Sequence, residues 1–145
     1  MGIFSKTCEY AIRAVFYISQ RTHEGYKAGI KEIAASIDSP EPFLAKILQK
    51  LAKAGIVHSV KGPNGGFYID ADSFKRPLSD IVTAIDGDEI FTGCAMGLSY
   101  CSELNPCPLH NDFKNVRNRI TNMLYKTSIS QFDNELIRGQ LTLNK

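Results

Sequence analysis

The sequence predicts a mainly α protein with one small β-hairpin. Three observations carry that class. Apolar residues recur at helical spacing in three segments between residues 5 and 55. The stretch "IVHSVKGPNGGFYID" sets two β-prone runs on either side of a turn rich in Gly and Pro. Residues 109–123 carry apolar side chains at steps of 4, 3, 4 and 3, the spacing of a helix that meets another helix along a seam. A chain of 145 residues, 43% of them hydrophobic, is long enough to bury one core.

Taken in order, Ser5 or Thr7 can cap a first helix that runs to about Arg21, with Ala11, Ala14, Val15 and Ile18 on its inner face. "THEGYKAG" is a loop, and Ile30, Ile33, Ala34 and Ile37 mark a short second helix. In "DSPEP", Asp38 or Ser39 is placed to cap a third helix, with Pro40 at its first position. That helix turns Leu44, Ile47, Leu48 and Leu51 inward and stops at Gly55. The hairpin follows, with a tight exposed tip. Pro77 and Leu78 open a fourth helix that buries Leu78, Ile81, Val82 and Ile85 and ends at Gly87. A cysteine-bearing loop spans 88–107. "PLHNDFKNVRNRITNMLYK" is a long helix, and "SISQFDNELI" a short last one.

Three helices followed by a hairpin make a winged helix-turn-helix, here with a long dimerisation helix behind it. The expected organisation is a reading head over 1–76, a linking helix and cysteine-rich loop over 77–107, and a dimerisation helix with a terminal helix over 108–145. The outer face of the third helix offers Lys46, Gln49 and Lys50 to phosphates or base edges, and its N-terminal end brings Ser39, Glu41, Pro42 and Phe43 to a groove. Pro42 and Phe43 can touch a thymine methyl but cannot hydrogen-bond a base. Lys61 and Asn64 stand at the tip of the wing. Leu109, Phe113, Val116, Ile120 and Met123 are the expected dimer seam.

Charge agrees weakly with a polyanion partner. Net charge is +2, but residues 1–76 hold 11 Lys and Arg against 7 Asp and Glu, whereas residues 77–145 hold 6 against 8. No apolar run approaches the roughly 18 residues of a membrane helix. "MGIFSKTCEYAIRAVFYI" lacks the basic start, unbroken apolar centre and small-residue cleavage site of a secretory leader. The expected compartment is the cytoplasm, where thiols stay reduced and clustered cysteines point to metal or redox chemistry before disulfides.

Three of the four cysteines, Cys94, Cys101 and Cys107, fall within 14 residues at spacing C-x6-C-x5-C. Zinc knuckles and ribbons use closer pairs. Wide spacing suits a loop that wraps an iron–sulfur cluster, whose irons take thiolates from different sides. Zinc, a thiol redox switch and inert thiols stay open on chemistry alone. Cys8, on the first helix, reads as a packed thiol.

"SKTCEYAIRA", "IKEIAASIDSPEPFLAKILQKLAKAGIVHSVKGPNGGFYI", "PLSDIVTAIDG" and the late cysteines together resemble the IscR/NsrR-type winged-helix regulators, relatives of CymR and RirA. The resemblance covers about Ser5 to Leu136. It implies a homodimeric bacterial transcription factor that binds a double-stranded DNA operator and sends its wing to the minor groove. Lys61 stands where that family carries a basic wing residue, often arginine; lysine cannot fork. Both repressor and activator fit. The resemblance also implies an iron–sulfur cluster on the three cysteines, a 2Fe-2S form ahead of a 4Fe-4S form, sensing iron–sulfur status, redox state or nitric oxide. The family's short loop has five residues in each gap, and this chain has six in the first. One extra loop residue costs little.

Three cysteines leave one ligand to find. His110, three residues after Cys107, would share a face with it on a first helical turn, and IscR-like members use a histidine at this place. Glu9 is the rival, at the position where NsrR-like members bring a carboxylate from the partner's first helix. A regulator with a zinc or thiol sensor is the alternative reading. An iron–sulfur electron carrier or enzyme subunit is a third, and the sequence argues against it. There is no nucleotide loop, no second cysteine set, no Ser/His/Asp or paired-carboxylate constellation, and so no enzyme and no small-molecule substrate are expected. No membrane partner is expected either.

Overall fold

The computed structural model describes residues 2–137; the last part of the 108–145 unit lies outside it. Eight helices and two strands run in the order α1 (Lys6–His23), α2 (Ile30–Ile37), α3 (Glu41–Lys53), β1 (His58–Val60), β2 (Gly66–Tyr68), α4 (Ala71–Phe74), α5 (Leu78–Asp86), α6 (Glu89–Thr92), α7 (His110–Lys126) and α8 (Ile129–Ile137) among the described residues. The chain is a winged helix-turn-helix, mainly α with one two-stranded antiparallel hairpin.

Helix α1 is the central beam. Ser5 caps it by accepting from the Cys8 N–H at 3.0 Å, and Cys8, Ala11, Ala14, Val15, Phe16 and Ile18 are buried along its length. Helix α2 ends at Asp38, which takes the left-handed conformation at φ 53°. A short polar side chain tolerates that region. Asp38 therefore closes α2 instead of opening α3. Pro40 occupies the N-cap of α3 and Pro42 its first turn, so neither Asp38 nor Ser39 caps that helix. At the far end Gly55 sits at φ 73°, its N–H reaches the Ala52 carbonyl, and the Ile56 N–H reaches that of Leu51. This paired closure needs a residue free to adopt positive φ.

The hairpin pairs His58 with Tyr68, Ser59 with Phe67 and Val60 with Gly66. Ala28, just before α2, adds a bridge to Phe67 through N–H to carbonyl bonds of 2.9 and 2.8 Å. The wing is thus fastened to the head at its middle, and the tip projects freely.

Two short helices had no periodic signature to announce them. In α4, Asp70 caps by accepting from the Ser73 N–H at 2.8 Å. Helix α6 follows the turn at Gly87. Arg76 then joins α5 to the end of α3: its Nε donates to Asp80 at 2.7 Å and its Nη1 to the Ala54 carbonyl at 2.7 Å. Backbone bonds from Leu78 to Thr127 and from Ile129 to Arg76 tie the α7–α8 junction to the start of α5. One apolar core runs from Cys8 through Leu44, Leu51 and Ile81 to Ile129, with Phe132 stacked on Phe16 at 4.2 Å. Each fully buried Ile or Leu there contributes about 1.5–3 kcal/mol relative to exposure.

Helix α7 is different. It buries only His110 and Leu124. Leu109, Phe113, Val116 and Met123 are 41–52% exposed, while Ile120 leans on the core.

Candidate functional site

The outer face of α3 is polar because its apolar residues all turn inward. Glu41, Pro42, Lys46, Gln49 and Lys50 are exposed, and Ser39 is half-buried with its hydroxyl donating to the Pro40 carbonyl at 3.3 Å. Phe43 is also half-buried, edge-on to Tyr10 with ring centroids 5.6 Å apart. Its ring packs against the core and is only partly available to a groove. Lys61 and Asn64 are exposed at the wing tip. Among the described residues none of Lys46, Lys50, Lys53 and Lys61 is ion-paired, so their charges are free to meet a polyanion.

The second feature is a cavity of about 270 Å³ between α6, the cysteine loop and α7. Cys94, Cys101, Cys107 and His110 all line it, together with Ile3, Ile90, Phe113, Val116, Arg117 and Ile120. His110 is 5% exposed, and its Nδ1 lies 3.1 Å from the Cys101 sulfur. The backbone N–H groups of Leu98, and after it Met96, hold the Cys94 thiol below its ordinary range. Amides aimed at a sulfur favour the thiolate, the form that ligates or reacts.

The donor set therefore has the chemistry of an iron–sulfur or zinc site and shares one cavity. Among the described residues, however, no three His, Cys, Asp or Glu side chains stand in a metal-holding arrangement. The close pair is Cys101 with His110. Helical spacing alone predicts His110 and Cys107 on one turn. Helix α7 begins at His110, so Cys107 lies outside it, and the link between the two is a backbone bond from the His110 N–H to the Cys107 carbonyl at 3.0 Å.

Glu9 does not line this cavity. Its carboxylate accepts from Lys6 at 2.7 Å, and that bond holds it below its ordinary range. Cys8 is fully buried, and burial, followed by the Asp86 carboxylate, pushes its thiol up to about 12.

Two features escaped the sequence argument. Asp86, at the end of α5, accepts from the Ser5 N–H at 3.0 Å and from its hydroxyl, joining the start of α1 to the segment that leads into the loop. Arg117 faces the cavity two turns beyond His110, and that seven-residue interval was a usable signal. His58, Asp70 and Ser73 also meet, but Nε2 of His58 faces both Asp70 and Ser73, while the Ser73 hydroxyl donates to the Gly55 carbonyl. A proton relay needs the two ring nitrogens on different partners, so this trio fastens the wing base to α4. No helix among the described residues is long and apolar enough to cross a membrane.

Residues 4–135 match the family model Rrf2, described as iron-dependent transcriptional regulator. An HTH-type transcriptional regulator of Aquifex aeolicus is 34% identical over 134 residues, 91% of this chain and 92% of that protein. IscR of Vibrio vulnificus is 33% identical over 97 residues, 66% of this chain and 57% of that protein. Among solved structures, T. potens IscR superposes with a TM-score of 0.74 at 20% identity, over 99% of this chain and 94% of that one. CymR, the global cysteine regulator of B. subtilis, does so with a TM-score of 0.74 at 18% identity, over 92% and 98%. These two likenesses speak to the fold. The family match runs through the reading head, the cysteine loop and α7: the chain belongs to the Rrf2 family and is a transcriptional regulator related to IscR, not an enzyme.

Proposed function

We propose that this DNA-binding regulator works as a homodimer whose operator affinity is set by an iron–sulfur cluster on Cys94, Cys101 and Cys107, with His110 as fourth ligand. The observation that carries the reading is the shared cavity: three thiols and one buried imidazole face a single space walled by α7. A bound cluster would supply one-electron redox chemistry and sensitivity to oxidants or nitric oxide. The chain supplies the rest. Cys94 is biased toward thiolate by its neighbouring amides. Ile90 and Ile120, both partly buried, give the cavity an apolar side. Lys46, Gln49 and Lys50 on α3, with Lys61 and Asn64 on the wing, hold phosphates or groove edges, while Ser39, Glu41, Pro42 and Phe43 mark the end of α3 that enters the major groove. The 2Fe-2S form is favoured over 4Fe-4S.

A second reading keeps the DNA half and makes the loop a zinc or thiol sensor. The amide-supported Cys94 thiol suits this reading as well as the first. Metal and sulfide analysis of protein purified without air separates the two. Iron with acid-labile sulfide supports the cluster; zinc without sulfide, or neither, overturns it.

A further inference from the structure

Helix α7 places one guanidinium in the cysteine cavity. Arg117 is half-buried, and its Nη1 donates to the Gly93 carbonyl at 2.9 Å, a bond that spans 24 residues of chain. Among the described residues Arg117 makes no ion pair, even though Glu89 lines the same space. Its charge is therefore unmatched where the thiols converge.

Gly93 is fixed from the other side as well. Its N–H reaches the Glu89 carbonyl at 2.7 Å, and a Cβ there would stand 2.6 Å from that oxygen. Only glycine lets the backbone pass so close. The peptide that delivers Cys94 into the loop is thus held between the last turn of α6 and a side chain of α7.

The geometry points to Arg117 as a positioning residue for the cysteine site, one that anchors the Gly93 carbonyl and sets an unpaired positive charge beside an anionic group held by the thiols. The anchoring half stands on the geometry alone; the electrostatic half rests on the cluster reading above. A cluster ligated by three thiolates is net negative and gains negative charge on reduction. A nearby cation in a partly desolvated cavity favours the more negative state. Removing it lowers the reduction potential.

Three variants divide the two roles. Arg117→Ala loses donor and charge, Arg117→Gln keeps a donor without the charge, and Arg117→Lys keeps the charge and a donor without the planar fork. Circular dichroism and light scattering first establish that each folds and assembles as wild type does; if Arg117→Ala does not, Arg117→Met, which also lacks donor and charge but keeps most of the side-chain length, takes its place. In iron-free protein, Arg117→Ala should alkylate several-fold faster at Cys94 than wild type, and Arg117→Gln close to the wild-type rate. In reconstituted protein, Arg117→Ala and Arg117→Gln should lower the reduction potential, with Arg117→Lys nearer wild type. An unchanged alkylation rate in Arg117→Ala, or in Arg117→Met if the former does not fold, overturns the anchor. An unchanged potential in Arg117→Gln overturns the electrostatic role. A wild-type protein that takes up no iron and sulfide overturns the cluster reading and the electrostatic half together, and the alkylation rates still decide the anchor.

Discussion

Cys8 and Cys94 show how far environment separates two residues of one type. Cys8 is sealed in the core beside Asp86, and its thiol is pushed up to about 12 from an ordinary 9.0. The folded chain keeps a proton that the unfolded chain releases. Stability is then fully present below about 9 and falls as pH rises from there to about 12. The contribution is at most about 4 kcal/mol. Urea titrations across that range should show a shallower alkaline loss for Cys8→Ala than for wild type; parallel curves would contradict the assignment. That Cys8 packs was legible from its place on the inner face of α1. The partner of His110 was not. The sequence pattern opens the long helix at Pro108, yet α7 starts two residues later, at His110, and the imidazole meets Cys101. A loop without periodicity leaves no pattern from which side-chain contacts can be read. The ligand assignment is tested by His110→Ala and Glu9→Ala purified without air. The first should lose the wild-type cluster spectrum and stability, and the second should keep them. The reverse pattern moves the fourth ligand to Glu9.

At the scale of elements, α3 and α7 each show one face that their own chain leaves uncovered. The sequence disclosed both, because four or five apolar residues at regular spacing define a face whichever partner it meets. It disclosed α4 and α6 poorly, since a single turn has too few residues to show a period. On α3, Lys50 is exposed and unpaired, so Lys50→Ala should weaken binding to all DNA sequences alike and reduce the salt slope by about 1. Filter or fluorescence titrations at several salt concentrations read this directly, and an unchanged slope removes Lys50 from the phosphate contacts. On α7, Leu109, Phe113, Val116 and Met123 form an exposed apolar stripe. Such a stripe is an aggregation hazard unless a second copy covers it, with Ile120 at its inner margin. Val116→Asp should give monomer or insoluble protein by light scattering. A well-folded dimer from that variant would refute the seam.

Across the whole molecule, the cysteine loop and the reading head are joined by short, defined links. The loop begins at Gly93, held by Arg117 on α7. Helix α6 leads back to Asp86, which grips Ser5, the cap of α1. Helix α1 packs on α2 and α3. Under the function proposed above, closure of the loop around a bound group is expected to reach α1, the helix on which α2 and α3 pack. The sequence held the two ends of this path and not its middle. Asp86 and Ser5 are 81 residues apart and carry no motif, so only the fold brings them together. Operator binding by one preparation, measured with its cluster intact and again after the cluster is removed without air, tests the coupling most directly. The affinities should differ by about 5–150-fold, a coupling of roughly 1–3 kcal/mol; equal affinities in the two states would contradict control of DNA binding by the cluster.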